Sequence, residues 1–171
     1  DIVALLALAA ATVFGAVPFD QVYTGLSNNA VVTVACVMVI STAITESGIL
    51  TRVVSKLDLI AASPTLHIGA LSLLTAILSA FMNNVGALTL MMPIAIKTAI
   101  SNKRSPSLVL MPLALASAMG GLATMIGTPP NLLISSFRQS ALGESYSLFD
   151  FSFVGIWVGL LGVVFVSLVG W

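Results

Sequence analysis

Met125-Ile126-Gly127-Thr128-Pro129-Pro130-Asn131-Leu132 is the stretch that decides how this chain folds. It interrupts an apolar run that begins at Leu108 and resumes with Leu132-Leu133-Ile134. Proline carries no N–H. In a continuous helix, Pro129 and Pro130 would therefore leave the carbonyls of Met125 and Ile126 without partners. Gly127 permits backbone angles closed to other residues. In hydrocarbon, irregular backbone survives only where protein or a water-filled cavity covers it. A second polar break, Asn83-Asn84, lies inside the apolar stretch Leu71–Ile100. Two such breaks in one apolar chain predict a binding site built from helix ends, as in membrane transporters. A plain proline kink and a pair of Asn side chains gluing two helices are the alternatives.

The composition supports a membrane setting. Of 171 residues, 58% are hydrophobic and 7% charged, with mean hydropathy +1.13. A soluble domain carries about 25% charged residues. Six acids balance six bases, and no basic patch points to nucleic acid. The single cysteine, Cys36, is read as a packing residue. The single histidine, His67, has no second His or Cys for a metal site and is read as an interfacial or capping residue. The chain starts at Asp1 inside an apolar run, with no initiator Met and no signal peptide. That suggests a piece of a longer protein.

Outward from the breaks, the chain divides into apolar runs of span length or somewhat less. Ile2–Val17 and Asn28–Leu50 are two spans. Over Thr51–Ala62, Val53, Val54, Leu57 and Ile60 share one helical face and Arg52, Ser55 and Lys56 the other, which predicts a helix lying in the interface. Ser63-Pro64 reads as N-cap and N1 of a new helix. Its body runs to Phe81, breaks over Met82–Gly86, and returns as Ala87–Ile100. Ser105-Pro106 repeats the N-cap and N1 pattern. Leu108–Ile126 leads into the second break, Leu132–Ser140 is a half-helix, and Phe151–Trp171 is the last span. Arg52 and Lys56 precede the Asn-Asn hairpin, while Lys103 and Arg104 follow it. The positive-inside rule puts all four in the cytoplasm. The short returning arm and the uncharged tip favour a re-entrant hairpin over two full spans. Glu46 is the one acid within a span and is read as structural.

The breaks offer uncharged ligand chemistry. Asn83 and Asn84 each carry an amide donor and acceptor. The arm before the tip ends in carbonyls, which suit Na⁺; the arm after it begins with N–H groups, which suit an anion. Ser79 stands one turn before Asn83, so its hydroxyl can face the same spot. Thr128 can cap the following half-helix, and its hydroxyl or the Asn131 amide can face a ligand. Ala114, Ala116, Ser117, Ala118, Gly120 and Gly121 are small enough to let this helix approach the hairpin closely. There is no His-Glu-x-x-His, Gly-x-Ser-x-Gly or P-loop, and no enzyme is expected.

Ser79-Ala80-Phe81-Met82-Asn83-Asn84-Val85-Gly86-Ala87, followed by Met91-Met92-Pro93, resembles the hairpin tip of the divalent anion/sodium symporters. Ile126–Asn131 resembles their unwound-helix motif, and Leu26–Thr33 the opening of the preceding scaffold helix. The resemblance implies an all-α membrane protein, a polytopic helical bundle with a re-entrant hairpin and a broken helix, forming one half of an inverted-repeat transporter. Residues 1–62 would be scaffold spans plus the interfacial helix. Residues 63–171 would be half of a transport domain: hairpin 64–101, broken helix 106–140 and final span 150–171.

It also implies a Na⁺ site from Ser79, Asn83, Asn84 and Gly127. The candidate anion-binding set is Asn83, Asn84, Val85, Thr128 and Pro129. The family tip is Ser-Asn-Thr; Val85 here removes a hydroxyl contact and leaves the anion open. The expected activity is Na⁺-coupled symport of a small divalent anion, such as sulfate or a di- or tricarboxylate, across the cell membrane. The expected partners are the lipid bilayer, a second inverted repeat and a second copy bound through the scaffold. A cation/proton antiporter or arsenite permease of the same superfamily, or a non-transporting assembly subunit, is the alternative.

Overall fold

The computed structural model describes residues 2–25, 29–48 and 63–170. The interfacial helix expected over 51–62 lies outside them. The chain divides into two compact units, Asp1–Cys36 and Val37–Trp171. In the first, α1 (Ile2–Val13) is apolar with no buried residue. It stops at Gly15, whose φ of +73° lets Ala16 N–H reach back to the Ala11 carbonyl. Helix α2 (Asn29–Glu46) carries the chain from the first unit into the second. Cys36 on it is exposed rather than packed.

The second unit holds the features that matter here. Helix α3 (Pro64–Phe81) starts with Ser63 as N-cap and Pro64 at N1, as the sequence predicts. Its buried face is Ile68, Leu71, Ser72, Thr75, Ala76, Ser79 and Ala80, a helical 3–4 spacing in which small and hydroxyl side chains replace large apolar ones. His67 also points inward, 1% exposed, and not to an interface. Helix α4 (Asn84–Ser101) begins immediately after Asn83 and runs unbroken through Pro93. The tip is therefore narrower than the sequence suggested, and the returning arm longer. Each arm has 18 residues. At 1.5 Å per residue that is about 27 Å, close to a hydrocarbon core of about 30 Å.

Helix α5 (Ser107–Gly120) packs most extensively on α3. Pro106, not Ser105, is its N-cap. A 3₁₀ turn (Gly121–Ala123) follows, then extended backbone at Thr124. Helix α6 (Pro129–Leu142) ends at Gly143 in the left-handed conformation. Helix α7 (Ser152–Phe165) continues into a π-helical turn, Val166–Gly170.

Ile68, Leu71, Met91, Ala95, Ala99, Val109 and Leu113 fill the core between α3, α4 and α5. Ala76, Ala116 and Val163 fill a second one between α3, α5 and α7. Among the described residues, three helices are long and apolar enough to cross a membrane: Pro64–Phe81, Asn84–Ser101 and Ser152–Gly170. Their outward faces carry Leu66, Ile77, Phe153, Trp157, Leu161 and Leu168, all more than half exposed. In water such a surface would be a liability; in lipid it is the expected outer face. The described residues are those of an all-helical membrane protein.

Candidate functional site

The hairpin tip is built by two caps. Met82 turns extended as its N–H returns to the Leu78 carbonyl, ending α3. Asn83 then caps α4, its side-chain oxygen accepting from Val85 N–H at 3.4 Å. This turns Asn84, the first residue of α4, towards the interior. The Ser79 hydroxyl donates to Asn84 Oδ1 at 2.7 Å. It also lies 2.7 Å from the Ser117 carbonyl oxygen. One hydroxyl proton serves only one of these acceptors at a time, so oxygen outnumbers hydrogen at this point. From α5, the Ser117 hydroxyl donates to the Asn84 carbonyl at 2.7 Å and lies 3.4 Å from Ser79 Oγ. Ser79 and Ser117 are buried.

The helix break closes over the same spot. A Cβ on Gly121 would sit 2.2 Å from Asn84 Oδ1, 2.8 Å from Thr128 Cγ2 and 3.1 Å from the Gly127 carbonyl oxygen. Asn84, Gly127 and Thr128 thus converge on one glycine. Thr128 is 6% exposed, and its hydroxyl has no hydrogen-bond partner among the described residues. A buried hydroxyl without a partner is costly. Thr128 stands beside a ring of neutral oxygens, Ser79 Oγ, Asn84 Oδ1 and the Gly127 carbonyl, and the atom it brings to Gly121 is its methyl, Cγ2.

Two expectations about the second break are corrected. The helix stops at Gly120, not Ile126, so the prolines do not orphan the Met125 and Ile126 carbonyls. They stand at N1 and N2 of α6, where a helix needs no intrahelical N–H. The break is wider and is held by other groups. Thr124 Oγ1 donates to the Ala80 carbonyl of α3. Asn131 Nδ2 donates to the Thr124 carbonyl at 2.9 Å, so this amide nitrogen ties the break together.

Of the residues singled out in the sequence, Ser79, Asn84, Gly127 and Thr128 meet. Asn83, Val85 and Pro129 do not join them; all three are exposed, with Val85 at 69%. Two helix N-termini, of α4 and α6, begin at this cluster, and their partial positive charge favours an anion beside it. Ser117 and Gly121 escaped the sequence reading, which treated them as packing residues. A parallel could have found them: Ser117 stands four residues before Gly121, as Ser79 stands four before Asn83. Among the described residues no group of His, Cys, Asp and Glu could hold a metal ion. The ring offers neutral hydroxyl, amide and carbonyl oxygens, a donor set suited to an alkali cation.

A family model described as "Citrate transporter" matches residues 1–171. An uncharacterized transporter, YfbS, of Escherichia coli is 30% identical over 96% of this chain and 27% of its own length. An uncharacterized transporter of Synechocystis, sll0640, is 29% identical over 98% of the chain and 28% of its own length. The sodium-dependent dicarboxylate transporter SdcS of Staphylococcus saprophyticus is 32% identical over 48% of the chain and 18% of its own length. The chain thus spans about a quarter of the length of the curated relatives it matches most fully. No solved structure matches.

Proposed function

The chain belongs to the citrate transporter family, and from that premise we propose that it is one inverted repeat of a Na⁺-coupled symporter for a small divalent anion. The observation that carries this reading is the ring of uncharged oxygens where the two breaks meet, Ser79 Oγ, Asn84 Oδ1 and the Gly127 carbonyl, with a buried, unpartnered hydroxyl on the adjoining Thr128. Neutral oxygens hold Na⁺ while it is bound and leave no buried charge when it departs. That property suits an ion that must come and go. Relatives named for sodium and sulfate, or for sodium and dicarboxylate, support the pairing of this cation with a divalent anion.

In this reading Ser79, Asn84, Gly127 and Thr128 hold Na⁺. The bound cation and the N-termini of α4 and α6 then attract the anion to the exposed side, where Asn83, Val85 and Pro129 lie. Coupling follows: the anion meets a favourable potential only after the cation has entered. The hairpin enters and leaves the bilayer on the cytoplasmic side, and its 18-residue arms, about 27 Å long, carry the tip most of the way across. A second repeat contributes an equivalent half-site, residues 1–62 serve as the dimeric scaffold, and the protein sits in the cell membrane.

The test is uptake of labelled sulfate and succinate into proteoliposomes under an imposed Na⁺ gradient, using the full-length parent of this chain. Na⁺-dependent uptake of either, abolished by Asn84→Ala with folding intact, is the expected result. Uptake driven equally by a proton gradient without Na⁺ would overturn Na⁺ coupling.

A further inference from the structure

Backbone that leaves a helix inside a membrane protein must find partners elsewhere. For the unwound segment between α5 and α6, part of the supply comes from a stretch of chain that the transport reading does not use, residues 143–151 and the first residue of α7. Met125 N–H donates to the Leu148 carbonyl at 3.0 Å. The Ala123 carbonyl accepts from the Ser152 hydroxyl at 2.7 Å. We infer that this connection is a splint holding the break in its unwound register, and that Tyr146, gripped by Arg138, is the positioning residue for the cation site. The site role rests on the Na⁺ reading above; the splint itself does not.

The connection can act as a splint because it is fixed to α6. Gly143, with φ +78°, reverses the chain and donates its N–H to the Gln139 carbonyl. Tyr146 N–H then donates to the buried Ser135 hydroxyl at 3.1 Å. The Arg138 guanidinium carbon lies 4.3 Å from the centroid of the Tyr146 ring. Ser135 and Arg138 are three residues apart on α6 and so share one face. The Tyr146 ring also meets Phe151, with 5.1 Å between centroids and 56° between the ring planes. Tyr146 is thus held by its backbone, by the Arg138 guanidinium and by the Phe151 ring. Two residues on, Leu148 holds Met125, which stands two residues before Gly127. A shift of the ring is passed through this short, pinned path to the carbonyl that lines the oxygen ring.

The chemistry of the grip is specific. The Arg138–Glu144 pair is 4.0 Å long with Glu144 81% exposed, and such surface pairs contribute little. The face of the ring is the better partner for the guanidinium. The Tyr146 hydroxyl makes no hydrogen bond among the described residues, so the ring alone should suffice.

The experiment uses the full-length parent, with two readouts: hydrogen exchange at the Met125 amide, and the Na⁺ concentration giving half-maximal substrate binding or uptake. Tyr146→Phe keeps the ring and should match the parent in both. Tyr146→Leu should speed exchange at Met125 at least about tenfold and raise the Na⁺ half-saturation about fivefold. Its maximal uptake at saturating Na⁺ should be retained. Ser135→Ala, which removes only one acceptor, covers the case of a Leu variant that fails to fold and should move both readouts the same way by less. Unchanged exchange at Met125 in Tyr146→Leu, or in Ser135→Ala where the Leu variant does not fold, overturns the splint. Faster exchange with unchanged Na⁺ half-saturation overturns the positioning role. A parent without Na⁺ dependence overturns the Na⁺ reading and the positioning role with it, while exchange still decides the splint.

Discussion

A Cβ on Gly127 would fall 2.3 Å from the carbonyl oxygen of Gly121, so the two sides of the helix break touch backbone to backbone. Neither atom belongs to a side chain that could rotate away. Gly127→Ala must therefore push the Gly127 carbonyl off the oxygen ring. Overpacking of this kind costs about 1–3 kcal/mol, which a folded protein can survive. The full-length Gly127→Ala variant should elute as a single folded species and lose Na⁺-dependent uptake. Parent-like Na⁺ dependence would show that the Gly127 carbonyl is not a ligand.

Thr128→Val has a sign that separates a binding role from a structural one. The Thr128 hydroxyl is buried without a partner among the described residues. Deleting such a group relieves a desolvation cost of about 1–3 kcal/mol. In the absence of Na⁺ the variant should melt at the parent temperature or higher. Ligand binding raises stability in proportion to log affinity, so its Na⁺-induced shift should shrink or vanish. A variant that melts lower without Na⁺ but shifts normally with it would make Thr128 a structural residue.

Ser117→Ala tests the residue that the sequence reading passed over. Its hydroxyl donates to the Asn84 carbonyl from a neighbouring helix. Interhelical hydrogen bonds in membranes average about 0.6 kcal/mol, which is about threefold in affinity. The Na⁺ half-saturation should rise by about that factor with maximal uptake unchanged. Because Ser79 and Ser117 share Asn84 and lie 3.4 Å apart, the double Ala variant should depart from additivity. Strictly additive effects would mean the two hydroxyls act independently.

The sequence carried the parts of this site that depend on local chemistry. Ser63-Pro64 starts a helix because a proline's missing N–H is no loss at N1, and Pro129-Pro130 likewise mark a helix start rather than a continuation. It misplaced the point where α5 ends, because Gly120 and Gly121 yield there for a tertiary reason. The first must let the α3 backbone pass, and the second must admit Asn84. The oxygen ring was half legible for the same reason. Ser79 lies within one turn of its own break, whereas Ser117 reaches the site only through the crossing of α3 and α5. Asn131 reads as a ligand in sequence, since nothing local shows that its amide donates to Thr124.

The crossing of α3 and α5 depends on Gly120. A Cβ there would stand 2.3 Å from the Ala76 carbonyl oxygen and 2.4 Å from Ala76 Cα, so the two helices meet at backbone contact. Close approach through small residues is how helices associate in lipid, where no hydrophobic drive holds them together. Gly120→Ala forces α3 and α5 apart next to the link between Thr124 and the Ala80 carbonyl. The expected result is a loss of thermal stability of about 1–3 kcal/mol with or without Na⁺, measured by melting in detergent. Gly159→Ala on α7 is the control, because its Cβ would meet nothing nearer than the Met119 carbonyl oxygen at 3.8 Å, an ordinary contact. It should melt within a degree or two of the parent. Equal melting of both variants would mean that α3 and α5 can separate without cost, and that the oxygen ring is held by the breaks themselves.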